Sequence, residues 1–293
     1  MNNRPSWLAR WRNRWFGRSS TPSRRYRPVQ NPSRLDLLHL EDRTAPAVTD
    51  FTSGVLTIDF NIANEKVDIT TSGNNIVLTG STFTGSGDTF ATADVNKIVV
   101  TDSGNNANQQ LTVANALTLS NGFYSTGVET VRFNAAVGSA EINVNASTQI
   151  IVGSGANLTG GSGGVTLVGG GSSTGNTVGV TVNAATITTT NNGNVSITGT
   201  GGSGSGDYNY GVHVLDAGQI TAGGSGTVTV NGTGSGTSKS NYGVYVTGAN
   251  ATITSGGGDV TVTGTGGNST GTGSSNYGVY VLNAGQITAG GSG

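Results

Sequence analysis

Apolar and polar residues alternate with a period of two in short runs from Val48 onward: GVLTIDF, EKVDITT, NNIVLTG and VNKIVVT, then QLTVANALTLS, GVETVRF and AEINVN. That period sends successive side chains to opposite faces and predicts half-buried β-strands. The intervening SGNN, SGDT and DSGNN are turn chemistry.

In the last hundred residues the alternation becomes a repeat of 32 to 35 residues, starting at Val195, Val228 and Val260. Aligning VSITGTG, VTVNGTG and VTVTGTG brings Asn209-Tyr210-Gly211, Asn241-Tyr242-Gly243 and Asn276-Tyr277-Gly278 into one phase, and Ile220, Ile253 and Ile287 into another. Each unit reads as three short strands separated by Gly/Ser/Thr turns. A period of this length made only of strands predicts an all-β solenoid, a right-handed parallel β-helix with one coil per repeat. Val260 and Val262 should then share an interior face, as should Tyr277, Val279 and Val281, with Ile287 beside them.

One coil offers about five such residues, each contributing roughly 1.5 to 3 kcal/mol on burial. The backbone ordering cost is roughly 1 to 2 kcal/mol per residue, so a single coil cannot fold alone. Stacking supplies the rest by pairing each coil with its neighbours. Roughly eight or nine coils at about 4.8 Å each give a rod about 40 Å long. Residues 146–293 are read as these repeats, with a shorter copy from Val165 to Asn194. Residues 48–145 are read as irregular first coils or an N-terminal cap, with a separate small β domain as the alternative.

Composition changes the picture mainly by its asymmetry. Residues 1–50 hold ten of the fourteen basic residues, all five prolines, all three tryptophans and one of the fifty glycines. Residues 51–293 carry eleven acids against Lys66, Lys97, Arg132 and Lys239. Their Gly, Ser, Thr and Asn content would suggest disorder but for the recurring Val, Ile and Leu. There is no cysteine, which removes disulfides, thiol nucleophiles and thiolate metal sites. No apolar run reaches the eighteen residues of a membrane-spanning helix.

In SWLARWRNRWFGR, Trp7, Trp11 and Trp15 would form one helical stripe flanked by Arg10, Arg12, Arg14 and Arg18, a pattern suited to an anionic membrane surface or export machinery. A solvated tail and a nucleic-acid arm are the less favoured readings. A Pro/Ser/Arg linker follows, and then RLDLLHLEDRTAPAVTDF. Through Leu40, Glu41, Asp42, Arg43, Thr44, Pro46 and Ala47 this stretch resembles the short LEDRT-type segment near the N-terminus of many large exported planctomycete proteins, where a basic leader precedes it and β-rich repeats follow. Leu38 and His39 depart from that pattern. The resemblance implies that residues 1–47 are a largely disordered leader ending in a sorting segment, and that the protein is extracellular or on the cell surface. Ala45-Pro46-Ala47 has the small-x-small form of a peptidase site, so cleavage after Ala47 is one fate to test.

Candidate chemistry is sparse. From Val195 onward the only acids are Asp207, Asp216 and Asp259, in different columns, and the only Lys or Arg is Lys239. Glycosidic chemistry needs paired carboxylates and a calcium roll needs many aligned aspartates. Neither pattern is present, so no catalytic residue, metal or cofactor is expected. The acids available to an enzyme are Asp59, Asp68, Asp88, Asp94 and Asp102. Two rows remain. His213, Tyr245 and Tyr280 should face outward and could stack on sugar rings, or merely cover neighbouring strands. Asn209, Asn241 and Asn276 should form a side-chain amide ladder between coils, ordinary turn residues being the alternative. AGQITAGGSG at the end matches residues 217–226, where a strand follows, so the last coil is expected to present an open apolar end suited to self-association. The sequence-level expectation is a non-enzymatic, adhesin-like structural protein, with extracellular polysaccharide as a possible partner.

Overall fold

A computed structural model describes residues 47–105, 107–171, 174–268 and 275–290. The tryptophan–arginine stretch and Leu40 to Pro46, expected from sequence to be part of a sorting segment, lie outside the described residues.

The described residues fold as β-strands, numbered β1 to β25 in chain order, most of which collect into three columns. The first holds β2 (Val55–Phe60), β7 (Lys97–Asp102), β10 (Gly122–Thr126), the second halves of β12 (Val137–Ala146) and β14 (Asn157–Gly170), then β17 (Val195–Thr200), β20 (Val228–Thr233) and β23 (Val260–Thr265). The second holds β3 (Lys66–Ser72), β8 (Gln110–Val113), β11 (Thr130–Phe133), β13 (Gln149–Val152), β15 (Val180–Asn183), β18 (Val212–Leu215), β21 (Val244–Thr247) and β24 (Val279–Leu282). The third holds β9 (Leu117–Leu119), the first halves of β12 and β14, β16 (Thr186–Thr189), β19 (Gln219–Ala222), β22 (Thr252–Ser255) and β25 (Gln286–Ile287). Neighbours within a column pair in parallel, and from β7 onward the chain visits first, second and third columns in turn. Each such visit to all three columns is called a circuit below.

Register explains why these residues form these strands. Leu158, Ile187, Ile220, Ile253 and Ile287 stand opposite one another along the third column, and Val182, Val214, Val246 and Val281 along the second. Most of these side chains are buried in one continuous core. A slip of one residue would turn every one of them to solvent, so the alternation itself locks the register.

At the N-terminal end the pairing changes direction. β1 (Ala47–Thr52) pairs antiparallel with β2, and β4 (Asn75–Thr79) pairs antiparallel with both β3 and β6 (Thr89–Ala91). The outer strands β5 (Phe83–Gly85) and β6 are only three residues long, which leaves little edge for another chain to extend. Phe51 and Phe90, their rings 5.5 Å apart, tie the two hairpins together.

Glycine has a specific task where the first column turns into the second. A Cβ on Gly199 would lie 2.1 Å from the Gly211 carbonyl oxygen, and one on Gly232 would lie 2.1 Å from that of Gly243. Gly264 approaches Gly278 in the same way. These glycines are in register with one another, so the two backbones pinch together in each circuit and the loop between them is extruded to one side.

Candidate functional site

The extruded loops carry the rows singled out from sequence. Asn209 and Asn241 are fully buried, held where each loop returns toward the second column. The side-chain carbonyl of Asn241 accepts from the backbone N–H of Asn209 at 2.8 Å and from its side-chain amide at 3.2 Å. Asn276 accepts from the Asn241 N–H at 2.8 Å, and Asn209 accepts from the Thr177 N–H at 3.0 Å. The repeated contact is thus side-chain carbonyl to backbone amide, with amide–amide bonding as a second contact at one step. The Asn209 and Asn241 side chains also donate to the Gly206 and Ser238 carbonyls of their own loops. Asn209 and Asn241 therefore each fix their own loop and accept from a backbone N–H one circuit away, while the Asn276 amide donates to Ser238 of the neighbouring circuit.

The tyrosines of the Asn-Tyr-Gly triplets do not join the valines in the interior as the period-two count expects. Tyr210 and Tyr242 stack at 5.3 Å with an interplanar angle of 8°, and Tyr242 stacks on Tyr277 at 5.7 Å and 19°. Beside them His213 stacks on Tyr245 at 4.8 Å and 11°, and Tyr245 on Tyr280 at 5.5 Å and 13°. The two columns meet edge to face where Tyr210 lies 4.9 Å from His213 and Tyr242 5.2 Å from Tyr245, and at a tilt where Tyr280 lies 4.9 Å from Tyr242. The reason lies in the pinch. Alternation holds only inside a strand, β18 begins at Val212, and the preceding corner turns the tyrosine out against the outward row. The recurrent Gly-Thr-Gly and Tyr-Gly pairs were the available sequence signal for that corner.

Inside this herringbone His213 is held neutral. Its Nε2 has no hydrogen-bond partner, and burial lowers its pKa from 6.5 to about 4, with Asp216 opposing the shift. Burial raises the Tyr210 pKa, helped by Tyr245, Tyr242, Tyr208 and Asp207. Chemically, stacked faces are already occupied by one another, so the outward row offers ring edges and hydroxyls more than free π-faces.

The acids are dispersed. Asp59 accepts from Thr101 Oγ1 at 2.8 Å and from the Ser103 amide at 2.9 Å, Asp102 accepts from Gln109 Nε2 at 3.0 Å, and Asp88 accepts from Thr89. Asp68 and Asp94 belong to β3 and to the turn after β6. Among the described residues no three His, Cys, Asp or Glu side chains are grouped to hold a metal. On the first column Tyr124 donates to Glu141 at 2.8 Å while Lys97 sits 4.3 Å over its ring. Burial and then that carboxylate raise the Tyr124 pKa.

Ala47, the last residue of the segment that sequence resemblance suggested for sorting, is buried in β1 opposite Phe83. Its bond to Val48 lies within a paired strand, so cleavage there has to precede folding. Comparison with protein-family models, with curated proteins and with solved structures gave no match.

Proposed function

We infer that this chain is a non-enzymatic, exported structural protein of the cell surface, adhesin-like, built as a right-handed parallel β-helix whose leader is a sorting segment of the planctomycete LEDRT type. The observation that carries the reading is the register: like side chains stand over like across circuit after circuit, Val228 over Val260, Gly232 over Gly264, Tyr245 over Tyr280. Such stacking makes length and stiffness the product of repeat number. The right hand follows the crossover rule for parallel strands. The scattered acids support a mechanical role over a catalytic one, since glycosidic chemistry needs two carboxyl groups flanking one bond.

Self-association, one stack of circuits against another, is one partnership this reading accommodates. Extracellular polysaccharide is the other partner this reading accommodates, and the leader would meet membrane or export machinery before the rod folds.

The test is an antibody against residues 195–268 applied to intact and to permeabilised cells that produce the protein natively. The reading expects intact cells to label. Labelling only after permeabilisation would sink it.

A further inference from the structure

The corner between the first and second columns varies in length along the molecule, and the variation leaves a recess. The chain needs only residues 127–129 to pass from β10 to β11, and only 147–148 from β12 to β13, whereas residues 103–109 separate β7 from β8 and 171–179 separate β14 from β15. Two short corners thus lie between two long ones. At about 4.8 Å per strand, two recessed layers open a notch roughly 10 Å wide.

A cavity of about 410 Å³ occupies this place, within the range of small-molecule sites. Asn108, Gln109 and Gln110 form one wall, Glu129, Thr130 and Thr148 the floor, and Thr174 stands on the far side. The lining is amides, hydroxyls and a single carboxylate, with no lysine or arginine. Gln109 is 1% exposed; its side-chain amide donates to the Ile62 carbonyl at 3.2 Å and to Asp102 at 3.0 Å, while its side-chain carbonyl has no partner. A buried acceptor left in that state is destabilising, and it lies behind the wall of the notch, out of reach of a bound molecule.

We propose that this notch binds one unit of a neutral saccharide. Many hydroxyls match a lining of amides and hydroxyls, and Glu129 supplies a charge-assisted acceptor for a pair of them. The lone carboxylate disfavours uronates, sulfated sugars and phosphates, because no cation in the lining offsets the repulsion. Bounded by a long corner on either side along the stack, the notch runs with the strand direction and takes a sugar chain across the rod. The site is separate from the aromatic columns and does not depend on the structural role argued above.

The experiment is retention of the full chain on a panel of immobilised polysaccharides: neutral glucans, mannans, galactans and xylans, with polygalacturonate and a sulfated galactan as anionic members. Binding to at least one neutral member is expected, weakened about tenfold or more by Glu129→Gln and abolished by Thr148→Trp, which fills the floor. Thr174→Trp blocks from the exposed side if Thr148→Trp melts early by circular dichroism. Thr118→Trp, on the outward face of the third column, should leave binding unchanged. The proposal is overturned if no neutral member is retained, if an anionic member is preferred, or if binding survives Glu129→Gln together with either tryptophan variant. Surface labelling of cells is a separate readout, so failure here leaves the structural reading standing, and the reverse.

Discussion

Replacing Gly232 with alanine tests the pinch that organises each circuit. Gly232 is not in a left-handed conformation, so backbone strain plays no part and the cost is steric. The added Cβ would lie 2.1 Å from the Gly243 oxygen, 2.5 Å from its carbon and 2.7 Å from Val244 Cγ2. Ordinary contact begins near 3.4 Å, so the corner has to open by about 1.3 Å (3.4 minus 2.1). It cannot open alone, since Gly199 and Gly264 hold the same approach in the flanking circuits. Overpacking of this kind costs about 1–3 kcal/mol. Weakening the adjoining bonds, Val212 N–H to Gly243 at 2.9 Å and Gly243 N–H to Tyr277 at 3.0 Å, adds roughly 0.5–1.5 kcal/mol each. The total is about 2–6 kcal/mol, a fall of roughly 4–24 °C in melting midpoint for a domain of this size. Thermal melts followed by circular dichroism read it directly. Gly138→Ala is the control: nothing lies within 4 Å of its Cβ position, and it should change stability by less than about 1 kcal/mol. Equal midpoints for Gly232→Ala and Gly138→Ala would refute the backbone pinch.

Asn241→Ala removes the acceptor for the buried Asn209 amide and the donor to Ser238, and should cost about 2–3 kcal/mol in chemical denaturation; a loss under 0.5 kcal/mol would make the row ordinary turn residues. Because the folded His213 pKa is depressed to about 4 from 6.5, the unfolded state binds the extra proton between those values. The stabilisation is therefore full above pH 6.5 and is lost as pH falls toward 4, by at most about 3 kcal/mol, and a His213→Gln variant should lack that part of the slope. Tyr210 behaves oppositely: its pKa is raised on folding, so stability should decline above pH 10, where the unfolded tyrosine ionises first. Ala217 has φ 66°, and Ala217→Gly should stabilise by about 0.5–1 kcal/mol as relief of left-handed strain exceeds the added unfolded-state entropy.

The strands and their shared phase were legible because alternation and a fixed period survive in the sequence, and Val228 with Val260 or Ile220 with Ile253 fall opposite one another as the alignment implied. The position of Tyr210 was not legible from alternation. Period two applies only inside a strand, and the tyrosine sits just beyond a Gly–Gly contact that links residues 199 and 211, distant in sequence. The asparagine row could be read from recurrence, but not that its main acceptor contact is to backbone, since that depends on loop direction. The notch left no motif, because it arises from corner lengths compared across circuits.

In a stacked parallel architecture each circuit adds one strand spacing. The chain lacks cysteine, so spin labels can be placed in pairs at will. Thr118, Gly138, Thr159 and Thr188 follow one another in register on the outward face of the third column, continuing through the Ile187–Ile220 pair to Thr221 and Thr254. Electron–electron double resonance from a label at Thr118 to labels at Thr188, Thr221 and Thr254 should give narrow distributions lengthening by about 4.8 Å per step. Distances that do not rise in equal steps, or that are broad at Thr254, would contradict the stacked parallel architecture.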